Sequence, residues 1–169
     1  GILGMGRIGR AVAQRARGFG MEIHYHNRNK LSSDLELGAI YHKDAKSLFA
    51  ESEFLSINCP ATAETTNLLN EETIKILPDK AVVANAARGD IIDDKAMIDA
   101  MKSGKIFALG LDVYNGEPKI NEEYLKLENL FLLPHLGSST KRTRIDMGDR
   151  AIDNLEVFFL GKKPKDQVN

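Results

Sequence analysis

The chain has 169 residues, 43% hydrophobic and 28% charged, an ordinary composition for one globular domain. Its 23 basic and 24 acidic residues provide no general field for nucleic acid or an acidic membrane. One cysteine, Cys59, excludes an internal disulfide and suits a reducing cytosol, and no apolar run approaches the roughly 20 residues that span a bilayer. We therefore expect a cytoplasmic protein, one domain over residues 1–169, that binds neither nucleic acid nor membrane.

Short apolar segments alternate with helical patterns along the chain. The strand-length segments are GILG, MEIHY, FLSIN, AVVANA, IFALGL and LFLLP, and their Ile, Val, Leu and Phe content is typical of strands buried on both faces of a parallel sheet. Helices are predicted over residues 7–19, after an N-cap at Asn70, over residues 94–103 and over about 139–160. This alternation predicts an α/β fold with a doubly wound parallel sheet.

The segment GMGRIG, residues 4–9, matches G-x-G-x-x-G between the first strand and the first helix. In that context Gly4 permits a tight turn, Gly6 lets the backbone approach a pyrophosphate, and Gly9 allows close packing of helix on strand. The helix N-terminus adds oriented N–H groups and partial positive charge. The motif predicts a dinucleotide site; the alternative is that the glycines serve only a tight turn.

The second predicted strand runs into HYHNRNK, residues 24–30, where a dinucleotide site commonly carries an Asp or Glu. Such an acid accepts hydrogen bonds from the adenosine ribose of NAD and repels the 2′-phosphate of NADP. Here Arg28 and Lys30 could pair with a 2′-phosphate, and Asn27 could donate a hydrogen bond to it. The segment favours NADP(H), with NAD(H) possible if both cations are only solvated loop charges.

Three later loops follow predicted strands and carry groups suited to catalysis. The loop NAARGD offers Arg88, LDVYNGEP offers Asp112 and Glu117, and PHLGSST offers His135. Each of these side chains alone has an ordinary structural explanation. Because the carboxyl ends of parallel strands converge on the ligand, their placement on successive loops favours a common site.

In this order, GMGRIG, NCPATAETTNLL, NAARGDIID, GLDVYNGEP and PHLGSST resemble the D-2-hydroxyacid dehydrogenases, which include phosphoglycerate dehydrogenases and glyoxylate/hydroxypyruvate reductases. The resemblance covers the entire chain, to the GKKPKDQVN tail. It implies the family's Rossmann-type nucleotide-binding domain, without the start of its first strand and without the preceding half that supplies most of the substrate domain. We expect these residues alone to be inactive, because closing the site and excluding water from it requires the half that is missing here.

The resemblance implies roles for three catalytic residues. Arg88 matches the arginine whose planar fork holds a 2-oxo carboxylate and polarises the carbonyl. His135 matches the acid/base for the substrate oxygen, and Glu117 matches the carboxylate that hydrogen-bonds this histidine. The implied reaction transfers a hydride between NADP(H) and a small 2-oxo or D-2-hydroxy acid, with glyoxylate or hydroxypyruvate favoured.

The resemblance also implies a set of cofactor contacts. Beyond the glycines and the basic segment, they are Arg7 and Ile8 at the pyrophosphate, Cys59, Pro60 and Thr65 along the adenosine and ribose, Ala86 and Ala87 near the nicotinamide ribose, Asp112 as acceptor for the carboxamide, and His135 and Gly137. The chain departs from the NAD-using members at His26, where many have Asp. This departure strengthens the NADP(H) interpretation.

The remaining histidines and the cysteine are expected to be structural. We interpret His24, His26 and His42 as strand and surface residues, and Cys59 as a packed loop residue because no partnered base accompanies it. No cluster of Cys, His or carboxylate residues has metal-ligand spacing, so no metal site is expected.

Two alternatives within the same family stay open. One is an NAD-dependent, phosphoglycerate-type dehydrogenase. The other is a corepressor that senses the dinucleotide without turning over a 2-oxo acid. Family members commonly dimerise through the nucleotide domain, so the resemblance implies a homodimer.

Overall fold

The computed structural model describes residues 1–168; the last residue of the predicted tail, Asn169, lies outside the described residues. The chain divides into two compact units, Gly1–Pro134 and His135–Asn169. One domain over residues 1–169 remains a prediction. Within the described residues, no helix combines the length and the apolar composition that crossing a membrane requires.

A parallel sheet forms the centre of the first unit. Its strands are β1 (Ile2–Leu3), β2 (His24–His26), β3 (Ile40–His42), β4 (Phe54–Ile57), β5 (Ala81–Asn85), β6 (Ile106–Leu111) and β7 (Leu130–Leu132). Over residues 1–168 these seven strands pair in the order β3-β2-β1-β4-β5-β6-β7, all in parallel. The order changes direction between β1 and β4, where open sheets of this kind bind their ligands. The predicted parallel α/β sheet is confirmed.

Five helices connect the strands of the first unit, and one belongs to the second, within the described residues. They are α1 (Arg7–Gly18), α2 (Ser33–Glu36), α3 (Ala45–Ala50), α4 (Glu71–Ile74), α5 (Asp94–Lys102) and, in the second unit, α6 (Lys141–Phe159). Short 3₁₀ turns span Gly89–Ile91 and Glu122–Lys126. The predicted N-cap at Asn70 is confirmed: its side chain accepts from Glu72 N and Thr73 N, and Thr73 Oγ1 accepts from Asn70 N in a capping box.

The core lies mainly between α3–α5 and one face of the sheet. Leu55, Val83 and Met97 are buried together in the larger of two apolar clusters. Phe54 and Ala84, which alternate with these strand residues, are exposed. The prediction of burial on both faces is therefore wrong for β4 and β5, because within the first unit the helices of this cluster cover one face.

Candidate functional site

The loop after β1 packs against the loop after β4. Gly4 has a φ of +93°, and its N–H donates to the carbonyl of His26 at 3.0 Å. A Cβ on Gly4 would lie 2.6 Å from Cys59 N, and a Cβ on Gly9 would lie 2.3 Å from Gly4 O. The first and third glycines of the motif are therefore required by the protein's own packing.

Gly6, in contrast, faces open space. It is the N-cap of α1, and a Cβ built on it would have no described protein atom within 4 Å. Arg7 and Ile8 follow at the start of the helix, and Ile8 is 69% exposed. A glycine that the fold does not require, at an uncapped helix N-terminus, leaves room for a pyrophosphate to approach the backbone N–H groups.

A cavity of about 640 Å³ opens beside the glycine loop, at the carboxyl ends of β1, β2 and β4. The predicted cofactor contacts that line it are Gly4, Gly6, Asn27, Arg28, Cys59, Pro60 and Thr65. Arg10, Thr62 and Glu64 also line the cavity and were not predicted. The Thr62 hydroxyl, which donates to Glu64 Oε2 at 2.7 Å, and less strongly the charge of Arg28 lower the pKa of Glu64.

Asn27 joins the segment after β2, which forms part of the cavity wall, to the glycine loop. Its Oδ1 accepts from Met5 N at 2.6 Å, and its carbonyl accepts from Tyr41 OH at 3.3 Å. Of the two predicted phosphate cations, Arg28 lines the cavity, whereas Lys30 Nζ lies 3.8 Å from Glu36 Oε1. The two basic residues of this segment thus have different surroundings.

The three histidines of β2 and β3 contact one another. His24 Nδ1 lies 2.8 Å from His42 Nε2, and His26 Nδ1 lies 2.9 Å from the carbonyl of His42. Burial, with the neighbouring His24, lowers the pKa of His42. These residues are half-buried strand residues, and among residues 1–168 no group of three or more His, Cys, Asp or Glu side chains could hold a metal ion.

Cys59 lies in the cavity wall next to the glycine loop. Burial raises the pKa of its thiol, which keeps the sulfur protonated and weakly nucleophilic. The nearby turn is fastened by Thr65 Oγ1, which donates to the carbonyl of Pro60 at 2.8 Å. The partial burial of Cys59 and the raised pKa of its thiol favour a packing role.

The loop that carries Arg88 is held by Asn85, which sequence reasoning missed. Asn85 is 1% exposed; its Oδ1 accepts from Ala87 N at 3.0 Å, and its Nδ2 donates to the carbonyl of Arg88 at 2.8 Å. The sequence signal that could have identified it is an Asn at the end of a predicted strand, because Asn side chains often accept from a backbone N–H two residues later in an Asx turn. Arg88 is exposed, and its Nη1 donates to Ala87 O at 2.6 Å.

Gly89 brings this loop against the loop after β6. A Cβ on Gly89 would lie 2.0 Å from the carbonyl carbon of Tyr114. In that second loop Asp112 is buried and its N–H donates to Asn85 O at 3.0 Å, while Glu117 is exposed and its Oε1 accepts from Tyr114 N at 2.8 Å. The first unit therefore places the Arg88 and Glu117 loops side by side.

His135 and Gly137 belong to the second unit. His135 is exposed and has a φ of +54°, in the left-handed region that few residues other than glycine adopt. The convergence of His135 with Arg88 and Glu117 remains a prediction from the sequence.

The first unit suits a dinucleotide: the glycine motif approaches β4, an open helix N-terminus follows it, and a cavity lies at the switch in strand order. Together these features define a Rossmann-type dinucleotide-binding domain. Residues 1–137 match the family described as "D-isomer specific 2-hydroxyacid dehydrogenase, NAD binding domain". The chain belongs to this family.

Named relatives and solved structures agree with this membership. The chain is 44% identical over 163 residues to a glycerate dehydrogenase of Hyphomicrobium methylovorum (95% of this chain, 51% of that protein) and 43% identical over 170 residues to a glyoxylate reductase of Thermococcus litoralis (100% and 51%). It is also similar to the structure of an NADPH-dependent glyoxylate/hydroxypyruvate reductase from Sinorhizobium meliloti in complex with NADP and malonate, with a TM-score of 0.89 and 36% identity over 94% of this chain and 49% of that chain. The chain thus spans about half the length of these relatives.

Gly6→Ala tests whether the open space at the glycine loop receives the dinucleotide. The added methyl group meets no described protein atom, so the melting temperature should stay unchanged, while dinucleotide binding should weaken by about tenfold because the pyrophosphate loses its close approach to the backbone. Gly18→Ala, an equally open position at the end of α1, is the control and should bind normally. Differential scanning calorimetry and a fluorescence titration measure both quantities. Unchanged binding by Gly6→Ala would contradict the assigned site.

Proposed function

We propose that the whole protein is an NADP(H)-dependent reductase of small 2-oxo acids, with glyoxylate or hydroxypyruvate as its substrate. The observation that carries the proposal is Arg28, which lines the cavity directly after Asn27. A guanidinium there can pair with the 2′-phosphate of NADP through charge-assisted hydrogen bonds. Two acids of the neighbouring elements are engaged elsewhere, since Glu22 contacts His24 and Glu36 contacts Tyr25. Glu64 lines the same cavity as Arg28, and its carboxylate accepts from the Thr62 hydroxyl.

The names of the relatives support the same substrate class. The Thermococcus litoralis protein is named a glyoxylate reductase, and the Sinorhizobium meliloti structure is described as NADPH-dependent and in complex with NADP. We propose that the present protein shares this substrate class and this cofactor. An NAD-dependent dehydrogenase and a dinucleotide-sensing corepressor are the alternatives that the experiments below distinguish.

Three side chains are proposed to carry the chemistry. Arg88 holds the substrate carboxylate and polarises the 2-oxo group through its planar fork. His135 donates a proton to the substrate oxygen in reduction and accepts it in oxidation, and Glu117 orients the imidazole. When bound, the nicotinamide supplies or accepts the hydride at the substrate's C2.

We further propose that the whole protein is a cytoplasmic homodimer and that residues 1–169 alone do not turn over a 2-oxo acid. The family resemblance supports the dimer. The inactivity is supported by the coverage, because the chain spans 51% of the glycerate dehydrogenase it matches, and hydride transfer requires a site closed to water.

Arg28→Ala is expected to remove a preference for NADPH over NADH. Wild type should bind NADPH at least about tenfold more tightly, because one charge-assisted hydrogen bond contributes about 1.5–3 kcal/mol and about 1.4 kcal/mol is tenfold in affinity. Lys30→Ala is the matched control and should have the smaller effect, since Lys30 Nζ lies 3.8 Å from Glu36. Fluorescence titration with both cofactors measures the ratio. Equal affinities of the wild type for NADH and NADPH would favour the NAD-dependent alternative.

His135→Ala in the full-length protein is expected to lower turnover of glyoxylate and hydroxypyruvate by about 10²–10⁴-fold, because it removes the proton donor. NADPH affinity should change little. His42→Ala provides a control histidine, since it lies on β3. Steady-state assays with both 2-oxo acids test this expectation. Normal turnover by the variant would refute the acid/base role, and absence of turnover in a wild type that binds NADPH would favour the corepressor.

A further inference from the structure

The segment after β2 is fastened at both of its ends. At the start, Asn27 Oδ1 accepts from Met5 N at 2.6 Å. At the end, Leu31 N donates to Tyr25 OH at 3.0 Å. Only three residues, numbers 28–30, lie between these two fastenings, so the path of the backbone that carries Arg28 is closely constrained.

Tyr25 connects this segment to a buried carboxylate. Its side chain is completely buried in the middle of β2, and its hydroxyl donates to Glu36 Oε1 at 2.5 Å while it accepts from Leu31. Burial, together with the bond to Glu36, raises the pKa of Tyr25 to about 12, so the hydroxyl remains a donor at physiological pH. The Tyr25 hydroxyl is therefore a bridge between α2 and the segment that follows β2.

Glu36 is also held by α1, and its carboxylate forms a loose ion pair with Lys30. It is 9% exposed, and its carbonyl accepts from Arg17 Nη2 at 2.8 Å. Lys30 Nζ lies 3.8 Å from Glu36 Oε1. A nearly buried carboxylate that lacked cationic and hydrogen-bonding partners would be costly, so Glu36 favours a conformation in which Lys30 faces α2.

We propose that Tyr25 and Glu36 are positioning residues for the 2′-phosphate of the cofactor: they hold the segment after β2 so that Arg28 faces the cavity and Lys30 faces α2. This inference rests on the proposed function, because it presumes that NADP(H) is the cofactor. It extends that function because the preference for NADPH over NADH then depends also on residues that do not touch the cofactor. In the simpler alternative, Tyr25 and Glu36 contribute only to stability, and their loss weakens all dinucleotides equally.

The decisive comparison is Tyr25→Phe in the full-length protein. The variant keeps the buried ring and removes the hydroxyl that holds Leu31. NADPH affinity should fall by about fivefold or more while NADH affinity stays within about twofold, since only the 2′-phosphate contact depends on Arg28. In an Arg28→Ala background, Tyr25→Phe should leave the NADPH-to-NADH ratio unchanged, because the group that it positions is already absent. Fluorescence titration with both cofactors gives all of these values.

Tyr124→Phe is the matched control. Tyr124 is also a buried tyrosine whose hydroxyl bonds a carboxylate, Asp94 Oδ1 at 2.9 Å, but this bond links the 3₁₀ turn Glu122–Lys126 to α5 and not α2 to the segment after β2. It should lower stability without changing the cofactor ratio. Glu36→Ala should repeat the effect of Tyr25→Phe on the ratio; if it does not fold, Tyr25→Phe decides alone.

The outcomes separate this inference from the function on which it rests. A wild type without NADPH preference contradicts both. A wild-type preference that Arg28→Ala abolishes but Tyr25→Phe leaves intact overturns the positioning role alone. An equal loss of NADPH and NADH affinity in Tyr25→Phe also overturns it, because that result identifies a purely structural residue.

Discussion

The close approach of the Gly4 backbone to the loop after β4 determines where the proposed site lies. A side chain at Gly4 would collide with Cys59 N, and one at Gly9 would collide with Gly4 O. These contacts bring the start of α1 to the point where the order of strands changes direction. The N-terminus of α1 then lies next to the open space at Gly6, which is the arrangement that an anionic pyrophosphate requires.

Buried and half-buried polar side chains hold the segments after β2 and β5 in place. Asn27 ties the segment after β2 to the glycine loop, Asn85 shapes the loop before Arg88, and Tyr25 joins α2 to the cavity wall. A buried amide or hydroxyl without partners would be costly, so each of these residues favours one loop conformation. Function-bearing side chains such as Arg28 and Arg88 are exposed or border the cavity, while buried residues such as Tyr25 and Asn85 set the conformation of the loops that carry them.

Elements marked by an apolar run, a cap or helical periodicity could be predicted from the sequence, including the short strands β1, β2 and β7, whereas elements without such a mark could not. Helices α1 and α5 lie within one residue of their predicted bounds, because caps and apolar spacing are local signals. Strand β3 and helices α2 and α3 were missed, since each is short and has neither a long apolar run nor enough turns for helical periodicity to separate it from a loop.

The candidate site likewise has features that the sequence predicts and features that only the folded structure shows. The glycine motif and Arg28 could be read from spacing alone. The contacts of Tyr25 and Glu36 depend on a strand and a short helix that meet only in the folded chain, so the sequence shows Tyr25 merely as one apolar residue of MEIHY. Lys30 appeared equivalent to Arg28 for the same reason, because its proximity to Glu36 is a tertiary contact.

The proposed function depends on recognition of a 2′-phosphate by the cavity beside the glycine loop. Calorimetric titration with 2′,5′-ADP and with 5′-AMP tests it most directly, because these ligands share the adenosine and differ at the 2′ position. 2′,5′-ADP should bind at least about tenfold more tightly than 5′-AMP, and high salt should reduce the difference. Equal affinities for the two ligands would show that the cavity does not recognise the 2′-phosphate.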